Sequence, residues 1–145
     1  MIIVPTVQRL YHREGAGRPP RVRWALEEAG APYDFIVMDS EVGRGEEHAR
    51  RHPLVRVPVL ETDEGTLFES AALCLHIADL HPEAELIPAL GSHERATIYQ
   101  WTFFAMTELE PAHYDVMPDS PTLRAYLERL DARPAKRRAY DFAAA

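Results

Sequence analysis

Apolar residues recur along the chain in two rhythms, and the switches between them mark its elements. Val22, Ala25, Leu26 and Ala29 fall three and four apart, the spacing that lines one face of a helix. That helix is predicted to open at Pro19-Pro20, where a missing N–H costs nothing, and to end at Gly30 as a left-handed cap. Arg9 to His12, led in by Ile2 to Val7, and Pro32 to Met38 with its alternating large apolar residues read as strands on either side. Val57 to Leu60 and Thr66 to Phe68 are two brief strands, joined by Asp63-Glu64-Gly65 over a length that suits a hairpin. Ser70 stands where it caps a helix with Leu73, Ile77 and Leu80 along one face. Between these, Ser40 to Arg51 is polar, holds Gly43 and Gly45, and reads as a loop with at most a short helix. The order strand, helix, strand, then strand, strand, helix predicts a mixed four-stranded sheet covered by helices.

The rhythm is helical from there on. His81-Pro82 to Pro88 is the one convincing linker. Ser92 is placed to cap a long helix with Ile98, Trp101, Thr102, Ala105 and Leu109 on one stripe, stopped at Pro111. Asp115 to Ser120 reads as a loop. Pro121 then opens a last helix with Leu123, Tyr126, Leu127 and Leu130 inward, closing near Arg133-Pro134. The expected division is an α/β domain over residues 1–80, a linker over 81–91 and an all-α part over 92–145.

Composition narrows the function. With 46% hydrophobic and 27% charged residues in 145 positions, the chain belongs with globular proteins. A formal net charge of −7 argues against a nucleic-acid partner, whose binding runs on clustered Lys and Arg. The locally basic stretch Arg133 to Arg138 reads as a solvated helix end. Cys74 is the single cysteine, which excludes an intrachain disulfide, a four-Cys zinc site and a C-x-x-C pair. Its apolar helical setting suits a buried inert thiol. No run approaches the roughly 20 apolar residues of a membrane helix. Met1 to Val7 lacks a basic leader and a cleavage-like segment, so a cytoplasmic location is expected. His48 and His52 stand four apart, as metal ligands do, but no third ligand is evident and Pro53 follows; no metal is expected.

Three short pieces carry chemistry. A proline at the start of a strand, as in Val57-Pro58, sits where no ladder N–H is required. With a cis bond, the main chain of Val57 turns towards a ligand, and an extended peptide pairs there as an added strand. The alternative is a plain edge-strand proline. Glu69-Ser70 opens a helix, whose backbone N–H groups and dipole attract a carboxylate while the hydroxyl adds a donor. Glu69 suits an ammonium group, so the pair matches the end of an α-amino acid; the alternative is that Ser70 merely caps its helix. Last, the turn from His12 to Arg18 delivers side chains to a helix start. A thiol held there meets helix N–H groups and the Arg18 cation, and both lower its pKa. Tyr11 or His12 adds a hydrogen bond, but strand neighbours face opposite ways and only one of them reaches the thiol.

In this order the three pieces resemble the glutathione-binding domain of the cytosolic glutathione S-transferases. Leu10-Tyr11-His12 through Gly17-Arg18 to Arg23-Trp24 and Ala29-Gly30 is similar to the family's opening strand, glycine-arginine turn and first helix. His52 to Leu60 resembles its cis-proline segment, and Glu69-Ser70-Ala71-Ala72 its helix-opening pair. Arg95-Ala96 to Glu108-Leu109-Glu110-Pro111 resembles the first helix of its second domain, and Tyr126 to Ala135 its closing helix. The resemblance implies a thioredoxin-like domain followed by a truncated all-α domain. It implies glutathione as co-substrate, with Val57 pairing the cysteinyl main chain ahead of Pro58, Arg56 beside it, Glu69 and Ser70 on the γ-glutamyl end, and Arg18 near the sulfur. It further implies transfer of the thiolate to a small electrophile; a homodimer is expected separately, because the second part has too few helices to bury its own apolar stripes. A glutathione-dependent isomerase and a non-catalytic binding or interaction protein are the alternatives.

Departures motivate that last alternative. The family's catalytic tyrosine falls at His12, and no Ser or Cys stands between Arg13 and Pro20. His12 is the better placed donor, Tyr11 being one residue off, and a one-residue bulge reverses the choice. The helical part also lacks the family's Ser/Thr-x-x-Asp helix after Pro111, which is expected to leave faces such as Ile98, Ala105 and Leu109 exposed.

Overall fold

The computed structural model describes residues 7–113 and 121–142. The expected lead-in over Ile2 to Thr6, the expected loop over Asp115 to Ser120 and the side chain of Leu123 lie outside the described residues. The sheet runs β2-β1-β3-β4, with β1 at Gln8–Arg13, β2 at Asp34–Met38, β3 at Val59–Thr62 and β4 at Gly65–Phe68. β1 lies parallel to β2 and antiparallel to β3, and β4 is antiparallel to β3. This is the mixed four-stranded sheet that the element order predicts, in the thioredoxin-like form that the resemblance implies.

The covering helices form where the apolar stripes place them. α1 spans Pro19–Ala29 and buries Val22 and Leu26. Gly30 ends it at φ 63°, with its N–H on the Glu27 carbonyl and the Ala31 N–H on Leu26, a left-handed cap that glycine adopts without a Cβ penalty. α2 (Glu46–Arg51) follows a 3₁₀ turn at Val42–Arg44, and α3 spans Ser70–Leu80. Leu10 and Leu60 from the sheet meet Val22, Leu26, Leu73 and Ile77 of α1 and α3 in the main core. The other face holds a smaller cluster of Tyr11, Met38 and Val59.

The helical part departs from expectation in two places. Ser92 caps α4 (His93–Phe104) as expected, its Oγ accepting from the Arg95 N–H at 3.1 Å. The helix does not stop at Pro111, however. A π-helical turn at Ala105–Leu109 leads into α5 (Glu110–His113), with the Glu110 N–H on the Ala105 carbonyl. Proline inside a helix leaves a carbonyl unbonded and crowds it, and a widened turn relieves such a conflict.

The second departure lies at the far end. α6 spans Pro121–Asp131, and the chain then forms a further helix, α7 (Pro134–Tyr140), where the sequence suggests a stop. Pro134 stands at a first helical position, which starts a helix as readily as it ends one. α7 packs on α1 with Ala135 and Ala139 buried. The basic stretch is therefore not simply a solvated end: Arg133 pairs with Glu28 and Arg138 with Glu27, both on α1. Among the described residues Ile98, Trp101, Phe103, Phe104 and Leu109 remain exposed, as the shortened helical part implies. No described helix is long and apolar enough to cross a membrane.

Candidate functional site

A small cleft opens where the end of α2, the approach to β3, the start of α3 and the start of α1 converge. It is lined by Arg18, His52, Arg56, Val57, Pro58, Glu69 and Ser70. Each element delivers its residues for a local reason. The Val57-Pro58 peptide bond is cis and precedes the first paired residue of β3, so Pro58 interrupts no ladder. Upstream, Val55 adopts φ 53°, and buried His48 of α2 donates from Nε2 to the Arg56 carbonyl at 2.9 Å. That contact pins the segment carrying Arg56 and Val57. The His48 ring is thereby committed to the backbone. His52 accepts the Leu54 N–H on Nδ1 at 3.0 Å, and its ring lies 4.4 Å from that of Phe68.

At the other wall, Glu69 sits at φ 73°, ψ 103° just ahead of α3. A non-glycine residue held there is strained, and such strain gathers at ligand clamps. Ser70 is the first residue of α3 rather than its cap, and no side-chain cap bond is made there. It is 2% exposed, and its Oγ has no hydrogen-bond partner among the described residues. A buried hydroxyl left unpaired costs free energy, so one that faces a cleft signals a ligand partner. Leu73 is the first α3 residue bonded back to Glu69; the amides ahead of it have no acceptor inside the helix. Hydroxyl, helix amides, the Arg18 and Arg56 cations and the Glu69 carboxylate together suit a ligand end bearing both a carboxylate and an ammonium group.

The cleft brings together Arg18, Arg56, Val57, Pro58, Glu69 and Ser70 of the residues singled out from sequence. Tyr11 and His12 are not among its lining. They face opposite sides of β1, as neighbours on a strand do. Tyr11 donates to Glu61 at 2.9 Å beneath the Arg51 guanidinium, and burial first, then that bond, pushes its pKa up. His12 is buried between the rings of Phe35 and Phe142, with centroids at 5.4 and 5.1 Å. Burial, reinforced by Arg23, lowers its pKa, and its Nδ1 has no partner among the described residues. His52 enters the lining although the sequence marks it only as half of an i, i+4 pair. Burial lowers its pKa against the pull of nearby Glu69. The sequence signal for it was its place six residues ahead of Pro58 in the matching segment.

Cys74 lies elsewhere, on a separate apolar cavity of about 450 Å³ that Trp24 and Ala25 of α1, Ala78 of α3, Ile87, Ile98 and Leu130 also line. Burial raises its thiol to about 11, so it stays protonated and unreactive.

Residues 7–79 match the family described as the glutathione S-transferase N-terminal domain. Glutathione S-transferase 4 of Zea mays is 37% identical over 93 residues, which cover 63% of this chain and 41% of that one. Maleylacetoacetate isomerase of Dictyostelium discoideum is 28% identical over 95 residues, 63% of this chain and 43% of that one. The chain thus spans less than half the length of these two relatives. A sphingomonad glutathione S-transferase, solved in complex with glutathione, superposes with a TM-score of 0.65 at 31% identity, covering 81% of this chain and 61% of that one.

Proposed function

The chain belongs to the glutathione S-transferase family, and from that membership we propose that its cleft holds glutathione and presents the thiolate to a small electrophile. The observation that carries this reading is the buried Ser70 hydroxyl, unpaired among the described residues and facing a cleft with charges of both signs. The γ-glutamyl end suits Ser70, Glu69 and the α3 amides, and the cysteinyl main chain suits Val57 ahead of Pro58, with Arg56 alongside. Residues 1–80 act as the glutathione-binding domain, 81–91 as the linker and 92–145 as a helical second domain. The protein works in the cytoplasm as a homodimer, an assembly favoured by its exposed Trp101, Phe103 and Leu109.

Glutathione, when bound, supplies the nucleophilic sulfur. Arg18 and the helix start at Pro19-Pro20 favour the anionic sulfur by electrostatics, and the cleft fixes its approach. Neither Tyr11 nor His12 lines the cleft, which favours a second reading in which the protein binds without turnover. The likeness to an isomerase keeps glutathione-dependent isomerisation as a third.

Calorimetry with glutathione tests the assignment. Ser70→Ala is expected to weaken binding by about 1 kcal/mol or more, as for a lost buried hydrogen bond to a charged group. Unchanged affinity sinks it.

A further inference from the structure

Arg18 reaches the cleft from an exposed turn, and its side chain is 44% accessible. A long side chain so placed samples many rotamers unless something holds it. Glu110, at the start of α5 and 92 positions away in sequence, does so: its Oε1 accepts from Arg18 Nε at 3.0 Å. It is the one side-chain partner of the Arg18 guanidinium among the described residues. The same oxygen accepts from Arg21 Nη2 at 3.1 Å, and Arg21 Nη1 lies 3.2 Å from the Met106 sulfur in the π-helical turn. Glu110 itself is largely buried, and its Oε2 has no partner among the described residues. Burial raises its pKa, but the bonds and charges of Arg18 and Arg21 outweigh that and hold it below the ordinary value. The carboxylate therefore stays ionised.

The backbone explains why Glu110 arrives there. A π-helical turn adds one residue to the ladder and so rotates everything after it by about 100° relative to a regular α-helix. Glu110 is the first residue beyond that turn. The widened turn and the doubly bonded carboxylate are separate observations, and both converge on Arg18.

We propose that Glu110 is the positioning residue of the sulfur site: by holding Arg18 at Nε it fixes the guanidinium plane and leaves both Nη groups for the bound thiolate. Arg21 acts as the second cation that keeps Glu110 charged and in place. This inference rests on the glutathione reading of the cleft. It adds that the helical part of the chain contributes to the electrostatics of a cleft it does not line.

The test is the ultraviolet absorbance of the thiolate of bound glutathione, followed against pH in the full chain. Losing a negative charge alone makes the cleft more positive and moves the thiol titration down. Losing the anchor frees Arg18 and moves it up. Glu110→Ala is expected to shift the titration upward by about half a unit or more, in the same direction as Arg18→Ala. The double variant is expected to go no further than Arg18→Ala, because the two residues act as one unit. A downward shift, no shift, or additive shifts overturn the proposal. If Glu110→Ala does not fold, Arg18→Lys carries the test, since it keeps the charge and loses the Nε–H; an unmoved titration there overturns it equally. Calorimetry separates the two readings. A wild-type chain that binds no glutathione overturns the cleft assignment and this role with it, whereas binding with an unmoved titration overturns the role of Glu110 alone.

Discussion

Ionisable side chains on the sheet and in the cleft have been placed where protonation matters to folding. Burial lowers the pKa of both His12 and His52, so the unfolded chain binds protons more readily than the folded one. Stability then rises with pH across that window: the contribution is complete above the ordinary value of about 6.5 and is lost as pH falls from there through the lowered folded-state value. Carboxylates give a second loss. Burial raises Glu61, but bonds from Tyr11, Arg9 and Arg51 outweigh it and the pKa ends below its ordinary value; Glu110 behaves likewise with Arg18 and Arg21. Their contribution is lost as pH falls below about 4.5. Melting temperature against pH is therefore expected to fall in two stages. His12→Phe, which keeps a flat ring between Phe35 and Phe142, is expected to shallow the first stage and leave the second. An unaltered first stage in that variant would show that His12 titrates as freely in the folded chain as in the unfolded one.

At the scale of elements, α7 shows which of two visible interactions holds a helix. Its ion pairs to α1 are half exposed, with side-chain accessibilities of 56% for Arg138 and 17% for Glu27, and such pairs contribute little. Ala135 and Ala139 bring its backbone close to α1. Arg138→Ala is expected to cost less than about 1 kcal/mol in urea unfolding. Ala139→Leu, forcing a larger side chain into a fully buried contact, is expected to cost about 1–3 kcal/mol. The reverse order would mean that charge, not close packing, docks the helix. The same helix marks the limit of what the sequence discloses. Val22, Ala25, Leu26 and Ala29 announce α1 by their spacing, and Gly30 announces its end, because both signals are local. α7 offers only two alanines as an apolar face, and its Pro134 is a stop or a start depending on what lies across from it. The π-helical turn is equally silent, since only Pro111 hints at it. The cleft was legible at Val57-Pro58 and Glu69-Ser70, where backbone-shaping residues sit in sequence beside the groups they aim. Glu110 was not, because its relevance depends on a contact across 92 positions.

The molecule as a whole carries more apolar surface than its own elements cover. The sheet, α1 and α3 close a core of leucine, valine and isoleucine, but α4 and the turn after it leave Trp101, Phe103, Phe104 and Leu109 between 41% and 64% exposed. Beside them the apolar cavity of about 450 Å³ reaches in towards α1 and α3. Scattered apolar residues on a surface need no explanation, but Trp101 and Phe104 share one face of α4, their ring centroids 5.5 Å apart, and together make an exposed aromatic patch. A second copy brings the same patch, and a two-fold contact is the commonest way such a surface is satisfied. Light scattering across a dilution series is expected to give a mass near twice the 16.5 kDa of the chain, falling towards the monomer only at low concentration. Replacing Trp101 and Phe104 together by serine is expected to move that transition to higher concentration, because aromatic side chains dominate such contacts. The pair is exposed, so little of the folded core depends on it, and thermal unfolding of the dilute variant is expected to match that of the dilute parent. A parent chain that scatters as a monomer throughout, and binds no apolar dye, would place the patch against the chain itself instead of a second copy.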